Sequence, residues 1–89
     1  MNSSIHFVEF DNRIITATYR NLMIKAKVVL ADEASGQPLP DPVTMISSPL
    51  PASQLRIRLP DTVKAGFYVL QAFNAHGEKV AQSVAFEIP

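Results

Sequence analysis

The chain has 89 residues, enough for one domain over 1–89, and a chain this short buries only about 60–65% of the surface its unfolded form exposes, leaving little room for an internal active-site cavity. Eight Lys and Arg balance eight Asp and Glu, so no basic field draws nucleic acid or an anionic membrane. Cysteine is absent, which excludes disulfides, thiol nucleophiles and thiolate metal sites, and the apolar runs fall far short of the ~20 residues of a membrane-spanning helix. Met1-Asn2-Ser3-Ser4 lacks the basic residue and apolar core of a signal peptide. A soluble chain that does not direct its own export is expected. It reads equally as a small protein and as one module of a longer polypeptide, and nothing in the residues assigns a compartment.

From the N-terminus, Ile5 to Phe10 alternates Ile5, Phe7 and Glu9 against His6, Val8 and Phe10, a weakly two-faced strand that Asp11-Asn12 ends as a turn. Ile14 to Arg20 sets Ile15, Ala17 and Tyr19 against Ile14, Thr16, Thr18 and Arg20, a β-branched, half-exposed second strand. Asn21-Leu22 turns into a third strand, Met23 to Ala31, where Ile24, Ala26, Val28 and Leu30 alternate with Lys25, Lys27 and Val29. Asp32 to Pro42 carries Gly36 and prolines at 38, 40 and 42; proline cannot donate to a sheet ladder, and a surface loop is expected there. Val43 to Ser47 is a short edge strand, and Ser48 to Ser53 is again loop.

In the last third, Leu55, Ile57 and Leu59 alternate with Arg56 and Arg58, Gly66 to Asn74 forms a further strand, and Lys79 to Ile88 the last. Asn74 to Gly77 makes a four-residue hairpin turn. The pattern predicts an all-β, immunoglobulin-like sandwich of about seven strands, with no helix longer than one turn. In such sandwiches a tyrosine near the start of the penultimate strand bonds back to the backbone across the preceding corner. Tyr68 occupies that place after Leu59-Pro60-Asp61 and Gly66, with Leu70 as the buried residue two positions on. It is expected to be largely buried, its hydroxyl bonded to backbone between Pro60 and Ala65.

The segment Gly66-Phe67-Tyr68-Val69-Leu70-Gln71-Ala72-Phe73-Asn74-Ala75-His76-Gly77, followed by a final apolar strand, resembles the C-terminal β-sandwich of the galactose oxidase and glyoxal oxidase group. That group's pattern runs Pro-Gly-aromatic-aromatic-apolar-Leu and then Asn-x-x-Gly. More broadly the segment is similar to early-set immunoglobulin-like domains, including transcription-factor-type domains and the small bacterial periplasmic copper carriers. The resemblance covers about a third of the chain well and Arg13 to Leu30 loosely, and it implies a fold. The oxidases' copper-ligating histidine would fall within Asp32 to Met45, which holds none, and the carriers' Ser-x-Asp-Gly-His turn is replaced by Asn74-Ala75-His76-Gly77-Glu78.

No catalytic constellation is apparent. Ser47, Ser48, Ser53 and Ser83 have only His6 and His76 as bases, and no Gly-x-Ser-x-Gly elbow occurs. The two histidines, even with Met23 and Met45, do not make a set of three or four donors at ligand spacing, so neither metal nor cofactor is expected. Asp32, Glu33 and Asp41 read as solvated loop acids ahead of a calcium site. Pro38 to Pro42 and Pro49-Leu50-Pro51 read as edge-blunting prolines ahead of polyproline ligands.

The informative surface lies on the penultimate strand. With Tyr68, Leu70 and Ala72 inward, Phe67, Val69, Gln71 and Phe73 point outward; with Val80, Val84, Phe86 and Ile88 inward, Ala81, Ser83, Ala85 and Glu87 join them. Phe67, Val69 and Phe73 are expected to share an outer patch with Val29 and Ala81, of the kind that marks an interface. The expected function is a non-catalytic interaction or accessory module that packs this face on a protein partner, whether a sister domain, a second copy or a larger assembly. Binding of carbohydrate or another small ligand is the first alternative, although the chain has no tryptophan and only two tyrosines, Tyr19 and Tyr68. A periplasmic copper-carrier-like protein is the second.

Overall fold

The computed structural model describes residues 3–46 and 52–89, with 7, 41, 42, 52 and 53 described by backbone alone. The described residues form eight strands: β1 Ser4–Asp11, β2 Ile14–Arg20, β3 Lys27–Asp32, β4 Pro38–Met45, β5 Ala52–Arg58, β6 Gly66–Phe73, β7 Lys79–Gln82 and β8 Phe86–Ile88. They form two antiparallel sheets, one of three strands ordered β1-β2-β5 and one of five ordered β4-β3-β6-β7, with β8 also pairing β6. No helix occurs among the described residues.

The core lies between the sheets and follows the expected alternation where the ladder is unbroken. Ile15, Ala17 and Tyr19 of β2 and Leu55 and Ile57 of β5 face Val28 and Leu30 of β3 and Leu70 and Ala72 of β6, all buried in one cluster with Leu22, Leu59, Val63 and Ile88. At about 25 cal/mol per Å2 of apolar surface, these opposed faces are the main source of stability in a domain this small.

In β1 and in the last strand an extra residue breaks the alternation at three places, each with a consequence for which side chain faces the core. In β1, His6 opposes Thr18 but Glu9 opposes Thr16, so three residues span two and the phase flips. Ile5 is therefore in the core on one side of the bulge, and Val8 and Phe10 pack against it on the other, which explains the weak two-facedness of the sequence. At the start of β7, Ala72 opposes Ala81 but Phe73 opposes Lys79, leaving Val80 as the extra residue. After Gln82 the strand stops at Ser83 and resumes as β8 with Phe86 opposite Tyr68. The last strand is thus two strands, and two of its expected inward residues, Val80 and Val84, are exposed while Phe86 packs on the core and Ile88 is buried.

Two other expectations need correction. The third strand begins at Lys27, because Asn21 and Lys25 take positive φ, 58° and 71°, and Ala26 N–H closes a turn onto Met23 O at 3.0 Å. Leu22 is buried as the chain crosses between sheets, whereas Met23 and Ile24 are exposed. The stretch expected as loop to Pro42 is strand from Pro38 onward, with only residues 33–37 turning. Ala31 opposes Pro38 and Val29 opposes Val43, so β4 bulges between them. Since β4 is an edge strand, prolines at alternate positions can leave their missing donors on the side that no neighbour needs. The expected loop from Ser48 to Pro51 and the Pro49-Leu50-Pro51 segment lie outside the described residues.

The corner before β6 is built as expected in its hydrogen bond. Tyr68 Oη donates to Lys64 O at 2.8 Å. The ring is half-buried against the core, less enclosed than expected, because the corner backbone it reaches lies at the rim. The Asn74 to Gly77 turn is also present: Asn74 Oδ1 accepts the N–H groups of His76 and Glu78 at 2.9 Å each, and Gly77 takes φ +85°, a value that favours glycine.

Candidate interaction surface

The two outer sheet faces differ in chemistry. On the three-stranded sheet the ladder aligns Glu9, Thr16 and Arg56 in one row and Asp11, Ile14 and Arg58 in another, so acids and arginines alternate with half-exposed β-branched residues. This is an ordinary solvated face. On the five-stranded sheet the central strands carry Val29 and Ala31 of β3 and Val69 and Gln71 of β6 outward, and the margins carry exposed Val43 and Met45 of β4 and Phe67 of β6.

The cross-strand register builds the face row by row. Met45, Lys27, Phe73 and Lys79 lie side by side at one end, from β4, β3, β6 and β7. In the next row Val43 and Val29 adjoin Gln71 and Gln82. An open groove of about 560 Å3 runs over the first row, lined by Met45, Val29, Phe73, the turn residue Ala75 and the side chains of Lys25 and Lys27. Its lining is mostly apolar, with Lys27 set between Met45 and Phe73, and such a mix is found at protein interfaces and ligand clefts alike.

Gln71 is buried in the middle of this face with its amide held: Nε2 donates to Gly36 O at 3.4 Å and to Gln82 Oε1 at 3.3 Å. The β3–β4 turn is thereby tied to the sheet surface. A partner covering Gln71 would not strand its donor.

The five residues expected to form the patch separate into three groups. Phe67, 58% exposed, and half-buried Phe73 are available at the surface, six residues apart on one strand. Val29 and Val69 lie on the same face but are buried, Val69 to 4% exposure. They floor the surface rather than project from it. Ala81 does not belong to it: the extra residue Val80 shifts the phase of β7 by one, and Ala81 packs inward against the core opposite Ala72. Met45 and Val43, which alternation within Val43 to Ser47 places on one side, take its place once β4 is known to pair with β3.

The remaining candidates stay dispersed. His6 sits on β1 with Ser4 Oγ 3.1 Å from its Nε2, while His76 is exposed in the β6–β7 turn. Asp32 Oδ1 accepts the Ala34 N–H at 2.9 Å as a local turn cap. Ser83 is engaged with the backbone of β6, and Ser47 and Ser48 fall outside the described residues. Among the described residues no three His, Cys, Asp or Glu side chains gather. Compared with known protein families and with curated proteins, the chain matches no family model and no individual sequence.

Proposed function

We propose that this chain is a non-catalytic interaction module of immunoglobulin-like, early-set type, which packs the outer face of its five-stranded sheet on another protein surface. The fold reading is supported by strand order: β1-β2-β5 opposed to β4-β3-β6-β7/β8, with a tyrosine bonding across the corner before β6. The likeness of Gly66 to Gly77 to the galactose and glyoxal oxidase group is a likeness of this same strand and turn.

One observation carries the functional reading. Val43, Met45 and Phe67 stand exposed on one sheet face, around buried Val29 and Val69, while the opposite outer face is charged and solvated. An unpartnered small domain gains nothing by exposing such a surface, and burying several hundred Å2 of it yields several kcal/mol before association costs. A carbohydrate-binding reading has less to draw on, because Tyr19 is in the core and Tyr68 is committed to the corner.

Photo-crosslinking tests the reading directly. A benzophenone-bearing residue in place of Phe67, compared with the same group in place of Arg56 on the opposite face, should give protein adducts from position 67 in purified protein or in extract. Equal yields at both positions, or no adduct at 67, would remove the basis for an interface on this face.

A further inference from the structure

The outer face of β6 carries two phenylalanines whose neighbours have opposite charge. At one end Phe73 lies between Lys27 of β3 and Lys79 of β7. At the other end Phe67 lies opposite Glu87 of β8, and the Glu33 N–H donates to Phe67 O at 3.1 Å, extending the β3–β6 ladder by one pair so that Glu33 flanks Phe67 on its other side. Lys27, Lys79, Glu33 and Glu87 are all exposed. None forms an ion pair among the described residues, and Lys79 Nζ donates only to Gln82 Oε1. The face is therefore two rows, Lys-Phe-Lys and Glu-Phe-Glu, about 20 Å apart at about 3.3 Å per residue, with Val69 and Gln71 between them.

We infer that this face is self-complementary and that its partner is a second copy of the same chain, stacked face to face about a two-fold axis. Place the axis between the two sheets, perpendicular to β6 and level with Leu70. The rotation reverses the direction of β6 and preserves its left and right neighbours, so Phe67 of each copy lies over Phe73 of the other. On the β3 side Lys27 then faces the other copy's Glu33, and on the opposite side Lys79 faces its Glu87. All four charge pairs of the dimer are of opposite sign, and both pairs of rings meet. An isologous interface requires this self-matching, and sheets stacked in this way lie about 10 Å apart at a small angle. The alternative stacking, with the two β6 strands parallel, sets lysine on lysine and glutamate on glutamate, so charge selects the antiparallel arrangement. The apolar centre is already dry: Val29 and Val69 are buried, and the Gln71 amide is hydrogen-bonded within its own copy.

This inference rests on the proposed interaction face and adds the identity of its occupant. Sedimentation equilibrium over a concentration series tests it with two charge-reversal variants, Lys27→Glu with Lys79→Glu, and Glu33→Lys with Glu87→Lys. All four positions are exposed, so the fold should survive, which circular dichroism checks. The wild type should show a concentration-dependent dimer, and each variant alone should self-associate about tenfold or more weakly, since all four pairs become like-charged. Mixing the two variants should restore a dimer of one of each, weakened by added salt. A wild type that stays monomeric throughout, variants that dimerise like the wild type, or a mixture that remains monomeric would each overturn the inference. Heterologous adducts from position 67 alongside a monomeric wild type would overturn self-pairing alone and leave the interaction reading standing; absence of any adduct there would overturn both.

Discussion

Ser83 Oγ accepts the Leu70 N–H at 2.8 Å while Leu70 O accepts the Ser83 N–H at 2.8 Å, so one side chain supplies a rung of the sheet where the last strand breaks. The arrangement lets β7 and β8 both pair with β6 although the chain between them leaves the ladder. It keeps the buried Leu70 N–H partnered at the break.

Replacing Ser83 with alanine removes the acceptor and leaves the Leu70 N–H in the core without a partner. The expected cost is about 1–3 kcal/mol, read from urea unfolding, together with faster amide exchange at Leu70. Unchanged stability and exchange would mean that β8 moves in to close the ladder itself.

Arg13 is held at φ +64°, beside Asn12 at +53°, in the two-residue turn between β1 and β2. That conformation suits glycine at the second position, yet an arginine occupies it, and its Nη2 donates to Pro60 O at 2.6 Å and to Val63 O at 3.5 Å. The strain of the turn is thus offset by a tie to the corner before β6. Arg13→Ala should lose the tie and keep the strain, costing about 1–2 kcal/mol, whereas Arg13→Gly should lose the tie and relieve the strain, making it about 1 kcal/mol the more stable of the two. Thermal unfolding of both variants checks the order; equal midpoints would show that the turn holds no strain worth relieving.

Phe67 and Val69 share a face and should respond differently to truncation. Phe67→Ser should change the stability of the monomer by no more than about 0.5 kcal/mol, since the ring is 58% exposed. Val69→Ala should cost about 1–2 kcal/mol, because its methyl groups are buried among neighbouring strands. Denaturant midpoints measured at low concentration, where association does not contribute, separate them; a Phe67→Ser variant that unfolds would place that ring in the core and remove it from the interface.

The alternation of β2, β5 and β6 is legible in the sequence and groups Ile15, Ala17 and Tyr19, Leu55 and Ile57, and Leu70 and Ala72, each set on one side of its strand that the structure places in the core. The hydroxyl bond of Tyr68 and the turn at Asn74 to Gly77 are likewise legible, because each depends on residues within four positions of one another. What the tertiary structure decided is register. A period of two survives only while each strand advances in step with its neighbour; the extra residue in β1 shows in the sequence only as weak two-facedness, and those at Val80 and between Ser83 and Phe86 shift the step without leaving a mark in the local pattern. For that reason Ala81 faces the core, and Val80 and Val84 do not. Position in the sheet decided the rest. Pro38, Pro40 and Pro42 are read by themselves as breaking a strand, but β4 lies at an edge where a missing donor costs little. The flanking of Phe67 by glutamates and of Phe73 by lysines joins residues up to 54 positions apart, from Glu33 to Glu87, which only the ladder sets side by side.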